Sequence, residues 1–123
     1  MAVITTEQAR HFDQGGVHVV GLAAPSRGSR EISAWHLHLE PGAASPPHAL
    51  DHEEVFLVLE GAIRATYADR VETARVGEAL LLAPHEEVTL SAPDDAALRA
   101  VAILPAGALA TVGGEAHVPP WAA

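Results

Sequence analysis

Short stretches rich in valine, leucine and isoleucine recur along the chain, and glycine, proline or aspartate separates them. Evenly spaced runs of this kind, with turn-forming residues between them, are typical of β-sandwiches and β-barrels. The runs predict strands at residues 17–22, 32–39, 55–60, 62–67, 71–76, 79–83, 87–91 and 98–104. Plausible turns between them are Pro41-Gly42, Glu60-Gly61, Val76-Gly77 and Pro93-Asp94. The pattern therefore predicts an all-β fold.

The run at residues 32–39 alternates between large apolar and polar side chains. Trp35, Leu37 and Leu39 share one face of the predicted strand, whereas His36 and His38 share the other. A strand of this kind usually buries its apolar face. The histidine face could instead line the interior of a closed barrel, and on that interpretation His36 and His38 are candidate pocket residues.

The length of 123 residues fits one domain, spanning residues 1–123. The predicted barrel core covers about residues 17–105, preceded by a single helical turn at residues 5–11. The tail at residues 106–123 is rich in glycine and proline, and we expect it to pack along the outside as an irregular strand.

Charge and composition exclude several classes of function. Sixteen acidic residues stand against seven Lys and Arg, giving a formal charge of -9, which disfavours nucleic acid and anionic membranes as partners. The chain has no cysteine, so disulfides and thiolate chemistry are excluded. No P-loop or dinucleotide fingerprint is present, and we expect neither a nucleotide nor a flavin cofactor. The absence of a signal peptide or a long apolar run predicts a cytoplasmic location.

Two motifs in the middle of the chain carry a family resemblance. The segment GAASPPHALDHEEVFLVLEG at residues 42–61 resembles the first signature of the cupin family, with Gly42, His48, Glu54 and Gly61 in register. The segment GEALLLAPHEEV at residues 77–88 resembles the second signature. The resemblance implies a double-stranded β-helix, or jelly-roll barrel, that binds a small-molecule ligand or substrate in its interior.

The resemblance also implies a metal site, which this sequence retains only in part. The usual ligand positions correspond to His48, Leu50, Glu54 and Val88, and the two aliphatic side chains cannot donate a lone pair. His52 and His85 are candidates to complete the set. His52 lies where the chain must bend to bring residues 48 and 54 together, and His85 replaces the usual glycine. We therefore expect His48, His52, Glu54 and His85 to bind a divalent transition metal (Mn, Fe, Ni or Zn), with Leu50 and Val88 in the pocket wall.

Three kinds of function are compatible with these residues. The first is a metal-dependent enzyme, for which the resemblance implies a dioxygenase, isomerase, lyase or cyclase. The second is a metal-free enzyme in which His48 and Glu54 act as catalytic acid and base, because an apolar wall raises the pKa of Glu54. The third is a binding barrel without catalysis. The resemblance further implies a homodimer that pairs its sheets through edge strands.

Overall fold

The computed structural model describes residues 2–123. Twelve strands occupy this part of the chain, and 3-10 turns lie at Pro25–Arg27 and Pro120–Ala122. The strands are β1 (Arg10–Gln14), β2 (Val17–Ala23), β3 (Ile32–Leu39), β4 (Ala49–Leu50), β5 (Glu54–Glu60), β6 (Ala62–Thr66), β7 (Val71–Arg75), β8 (Ala79–Leu82), β9 (Thr89–Ser91), β10 (Leu98–Pro105), β11 (Ala110–Val112) and β12 (Glu115–His117).

The strands form a six-stranded sheet, in the order β1-β2-β3-β10-β5-β8, and two three-stranded sheets, β12-β11-β4 and β7-β6-β9. All of the pairings are antiparallel. One core cluster joins side chains of all three sheets, including Leu37, Ile63 and Ala110. The predicted jelly-roll barrel is thereby confirmed. No helix within residues 2–123 is long and apolar enough to cross a membrane.

The histidines of β3 lie on the outer face of the six-stranded sheet. Trp35, Leu37 and Leu39 are buried, whereas His36 is exposed and His38 is half-buried. The expectation that His36 and His38 line an interior pocket is therefore wrong. The large apolar side chains gain more from burial than the imidazoles, and they take the inner face.

The C-terminal segment, which we expected outside the barrel, contributes to the core. Ala110 and Ala122 belong to the core cluster, and the Trp121 ring lies 5.8 Å from that of Phe12 and 6.2 Å from that of Trp35. Removal of this segment would expose apolar side chains on the inner face of β1, β2 and β3.

The turn at Gly61 in the first motif accepts only glycine, because of its backbone conformation and its close approach to another part of the backbone. It joins β5 to β6 with φ of 72°, in the left-handed region. A Cβ atom there would lie 2.1 Å from the carbonyl oxygen of Ala97. Any side chain at this position would therefore displace the loop that precedes β10.

Candidate functional site

The bend between the two halves of the first motif lies at Asp51 and His52. Asp51 is fixed by the C-terminal segment, since the Leu109 N–H donates to its Oδ1 at 2.7 Å. His52 Nδ1 lies 2.8 Å from the same oxygen. The hydrogen bond from His52 has the largest effect in lowering the pKa of Asp51, and the hydrogen bond from Leu109 lowers it further. His52 is exposed and bound to its neighbour, and it does not face the interior.

His48 faces inward opposite Val88. The two residues exchange backbone hydrogen bonds of 3.0 and 2.8 Å, and such a pair places both side chains on the same side. Val88 is buried, so the half-buried imidazole also lies on the inner side. Its Nδ1 lies 2.9 Å from the carbonyl oxygen of Pro46. Because a carbonyl only accepts, Nδ1 is the donor of this hydrogen bond, and in the neutral imidazole Nε2 is the nitrogen with the lone pair.

Glu54 is a buried carboxyl group with an unsatisfied oxygen. It begins β5 opposite Leu82, on the same face as Phe56, and is 4% exposed. Its Oε1 atom has no hydrogen-bond partner among the residues that the structure describes. Burial raises the pKa of Glu54 from 4.5 to about 8, as expected from an apolar wall. Glu54 is therefore largely protonated at neutral pH and available as a proton donor.

Leu50 and Val88 complete the set of inward-facing positions that the two motifs define. They are 6% and 2% exposed and belong to the core cluster. One imidazole, one carboxyl group and two aliphatic side chains thus share the inner side of the barrel.

A transition metal does not fit this donor set. Functional metal sites generally use three or more protein ligands. Within residues 2–123, no three His, Asp or Glu side chains lie close enough together to hold one ion. The expectation that His48, His52, Glu54 and His85 converge on a metal is therefore wrong, because His52 and His85 are exposed and only the other two face inward.

Comparison with protein families explains the two motifs. A family model described as "Cupin domain" matches residues 35–104, more than half of the chain. The chain belongs to the cupin family.

The proteins similar to this cupin are named for different functions. Auxin-binding protein 5 of Zea mays is 33% identical over 55 residues, covering 45% of this chain, and the chain spans only 37% of that relative. The polyketide cyclase RemF from Streptomyces resistomycificus superposes with a TM-score of 0.74 at 19% identity, covering 88% of this chain and 81% of RemF. Oxalate decarboxylase of Bacillus subtilis, a protein with Mn(II) centres, superposes with a TM-score of 0.72 at 14% identity. The match covers 83% of this chain and 28% of the decarboxylase. The two structural likenesses support the barrel fold.

The second motif places His85 in an unusual backbone conformation. Its φ of 67° lies in the left-handed region that favours glycine, and its side chain is exposed. Its N–H donates to the carbonyl oxygen of Leu50 at 2.7 Å, which ties the two motifs together. This hydrogen bond links the loop to β4.

We expect the His85→Gly variant of this cupin to be more stable than the wild type by about 0.5–1 kcal/mol. Glycine adopts the left-handed region without steric cost, which outweighs its greater freedom in the unfolded chain. Urea unfolding monitored by tryptophan fluorescence measures the difference. His52→Gly is the matched control and should not stabilise; a loss of stability in His85→Gly would contradict the interpretation of strain.

An arginine that the sequence did not single out holds the loop between β8 and β9. The Arg70 guanidinium donates to both carboxylate oxygens of Glu86, at 2.9 and 3.0 Å, and to Glu72 at 2.8 Å. It also lies 3.9 Å from the centre of the Tyr67 ring. The Arg70–Glu86 pair spans 16 positions, so no local motif indicated it. This contact fixes the loop that carries His85 and Val88.

A hollow of about 290 Å³ opens at one end of the six-stranded sheet. Its lining comprises Glu31, Ile32, Glu53, Glu54, Val55, Leu81, Ile103, Leu104 and Pro105. Val55, Leu81 and Ile103 belong to the outer face of the sheet, whereas the Glu54 side chain lies in register with inner-face residues. The hollow and the inner site therefore meet at Glu54, whereas His48 does not line the hollow.

Proposed function

We propose that this cupin binds a small, uncharged organic molecule at the His48 end of the barrel and moves protons to and from it without a metal. The observation that carries the proposal is the geometry of Glu54. Its buried carboxyl group has an oxygen without a partner among residues 2–123, on the same inner side of the barrel as the His48 imidazole, whose Nδ1 bonds the Pro46 carbonyl. An unsatisfied buried oxygen costs about 1–3 kcal/mol, which a ligand N–H or O–H group would recover.

The two side chains are suited to opposite steps of one reaction. Protonated Glu54 donates its proton to a carbonyl oxygen while His48 Nε2 accepts a proton from the adjacent carbon, forming an enol, a carboxylate and an imidazolium. Returning the protons to the same or different atoms completes an exchange or an isomerisation. A carboxyl group whose pKa is raised by burial is typical of a general acid in catalysis.

The walls of the site indicate the chemical class of the ligand. Leu50, Val88, Leu82 and Phe56 are all buried on the inner face, and they would contact an apolar skeleton. A carbonyl compound with an apolar skeleton would make apolar contacts with these side chains and accept a hydrogen bond from Glu54. RemF is named a polyketide cyclase, and cyclisation of a polyketide is one reaction that acts on such a skeleton. We therefore propose an isomerase- or cyclase-type reaction on an enolisable carbonyl compound.

Deuterium exchange tests this proposal with simple carbonyl compounds in place of the natural substrate. The wild-type protein is incubated in D₂O with a panel of uncharged ketones and aldehydes, and loss of the α-proton signals is followed by NMR. We expect catalysed exchange that persists in EDTA and falls by about 100-fold or more in His48→Ala and in Glu54→Gln, since general acid–base catalysis contributes about 10²–10⁴-fold.

The controls separate catalysis from metal chemistry and from simple binding. Exchange should survive in His85→Ala, whose imidazole is exposed. Exchange that stops in EDTA and returns with Mn²⁺ or Zn²⁺ would overturn the metal-free proposal. Ligand-induced thermal stabilisation without exchange would instead support a binding barrel.

A further inference from the structure

The hollow at the end of the six-stranded sheet lies where two neighbouring strands separate. β5 and β10 are paired only as far as Val55 and Ile103, although β5 begins at Glu54 and β10 continues to Pro105. Over these last residues β10 stays paired with β3, and β5 stays paired with β8. The sheet therefore opens between β5 and β10, and residues from both sides of the opening line the hollow of about 290 Å³.

Apolar side chains form most of the wall of this hollow. Ile32 and Pro105 lie on the side of β3 and β10, and Val55 and Leu81 lie on the side of β5 and β8. Ile32 is 51% exposed and Leu81 is 59% exposed, so both leave apolar surface in water. Burying one methylene group of a ligand strengthens binding by about fourfold. The wall is thus suited to an apolar skeleton.

The polar side chains at the hollow are all acidic. Glu31, Glu53 and Glu54 line it, and its nine lining residues include no Lys, Arg or His. Glu31 and Glu53 are exposed, and neither takes part in an ion pair within residues 2–123. A concave surface lined by charges of one sign attracts ligands of the opposite sign. The charge of the hollow therefore favours a cation and disfavours an anion.

Glu54 gives an independent indication that this opening takes a ligand. The hollow reaches Glu54 and Leu104, although both are buried inner-face residues, because β5 and β10 are not paired at this point. Glu54 is 4% exposed, and its Oε1 atom has no hydrogen-bond partner among the described residues. A buried acceptor in this state is stabilised by an added donor. An ammonium group has three N–H donors and no acceptor.

We propose that the hollow binds a small organic cation, namely a primary ammonium ion on an apolar skeleton. The skeleton packs against Ile32 and Leu81, and the ammonium group lies beside Glu31 and Glu53. A volume of about 290 Å³ is near the lower limit of ligand sites, about 300 Å³, so the skeleton is a single ring or a short chain. Binding does not depend on the reaction proposed above, since His48 does not line the hollow.

NMR titration of the nitrogen-15-labelled full chain at about pH 7 tests this site with probes of one shape and different charge. The probes are cyclohexylamine, cyclohexanol and cyclohexanecarboxylate. We expect cyclohexylamine to shift the amide signals at the ends of β3, β5, β8 and β10 that border the hollow. Its dissociation constant should be about tenfold below that of cyclohexanol, and the carboxylate should not bind. Salt should weaken binding of the amine and not of the alcohol.

Changes to the wall test where the probe binds. Leu81→Lys places a tethered ammonium group at the hollow and should abolish binding of cyclohexylamine. Leu59→Lys is the matched control, because Leu59 is 53% exposed and does not line the hollow, and this variant should bind as the wild type does. Circular dichroism checks that both variants are folded.

Changes to the acidic residues test the preference for a cation. Combining Glu31→Gln with Glu53→Gln should weaken binding of cyclohexylamine by about tenfold and leave that of cyclohexanol unchanged, since exposed ion pairs contribute up to about fivefold each. The control combines Glu87→Gln with Glu115→Gln, two exposed residues outside the hollow, and should keep the wild-type affinity.

The inner site provides the decisive comparison. His48→Ala should bind cyclohexylamine as tightly as the wild type. The proposal would be overturned by equal affinities for the amine and the alcohol, or by binding that is lost in His48→Ala and kept in Leu81→Lys. Signals at the hollow that move with protein concentration alone would also overturn it, because a second copy of the chain would then occupy this surface.

Discussion

Between about pH 5 and about pH 8, the wild-type protein is expected to lose about 3–4 kcal/mol of folding stability relative to the Glu54→Gln variant. The pKa of Glu54 rises from 4.5 to about 8 in the folded protein because of burial. Between these values the unfolded chain has released the proton and the folded chain has kept it. Unfolding therefore releases one proton in this window, and raising the pH favours the unfolded state by about 1.4 kcal/mol per pH unit.

The sign of this effect distinguishes Glu54 from an ordinary carboxylate. A raised folded-state pKa gives the greatest relative stability below the unfolded value and a loss as pH rises through the folded value. Glutamine has nearly the same shape and cannot ionise, so the variant should match the wild type near pH 5 and exceed it near pH 8.

Chemical denaturation of both proteins over a pH series measures this difference, since contributions of the other ionisable groups cancel. Glu53→Gln is the matched control, because Glu53 is exposed and adjacent in sequence. Two parallel stability curves for the wild type and Glu54→Gln would show that the carboxyl group is not buried as described.

Restoring the two missing donors should turn this barrel into a metal-binding protein. Leu50 and Val88 face inward together with His48 and Glu54, so the combined variant Leu50→His and Val88→His would present three imidazoles and one carboxylate. Four such donors satisfy the usual coordination of Zn²⁺ or Mn²⁺, whereas two do not. We expect one ion per chain, with affinity at least 100-fold above that of the wild type in calorimetry.

Thermal stability gives the second readout for this variant. Two buried imidazoles should destabilise the metal-free variant, and a metal at about 1,000 times its dissociation constant should return about 4 kcal/mol. The control combines Leu50→Ala and Val88→Ala, which opens the same space without adding donors. Tight, stoichiometric metal binding by the wild type would contradict the interpretation of Leu50 and Val88.

The sequence predicted the strands well where they are long and apolar. The predicted limits of β3 coincide with the observed ones, and all eight predicted strands are present. β1 and β4 escaped prediction, and β11 and β12 lie in the tail that was expected to form one irregular strand. β4 has two residues, β11 and β12 have three each, and β1 is polar and mostly exposed, so none has a distinct hydrophobic pattern.

Side-chain direction was harder to predict than strand position. Alternation in β3 defined two faces and favoured burial of the apolar one, but the resemblance to a ligand-binding barrel kept the histidine face open as an alternative, which the burial of Trp35 and Leu37 rules out. His52 and His85 lie in a bend and in a left-handed turn, where the two-residue period of a strand gives no direction. The raised pKa of Glu54 agrees with the apolar surroundings that the aliphatic residues at positions 50 and 88 predicted, since burial is its cause.

Direct titration of the Glu54 carboxyl group tests the central claim of a neutral acid in an apolar barrel. Carbon-13 NMR of glutamate-labelled, chelator-treated protein, assigned by difference from Glu54→Gln, follows this resonance between about pH 4 and about pH 10. The predicted result is a midpoint near 8 that added Zn²⁺ does not change. A midpoint near the ordinary value of 4.5, or one that Zn²⁺ moves sharply downward, would contradict it.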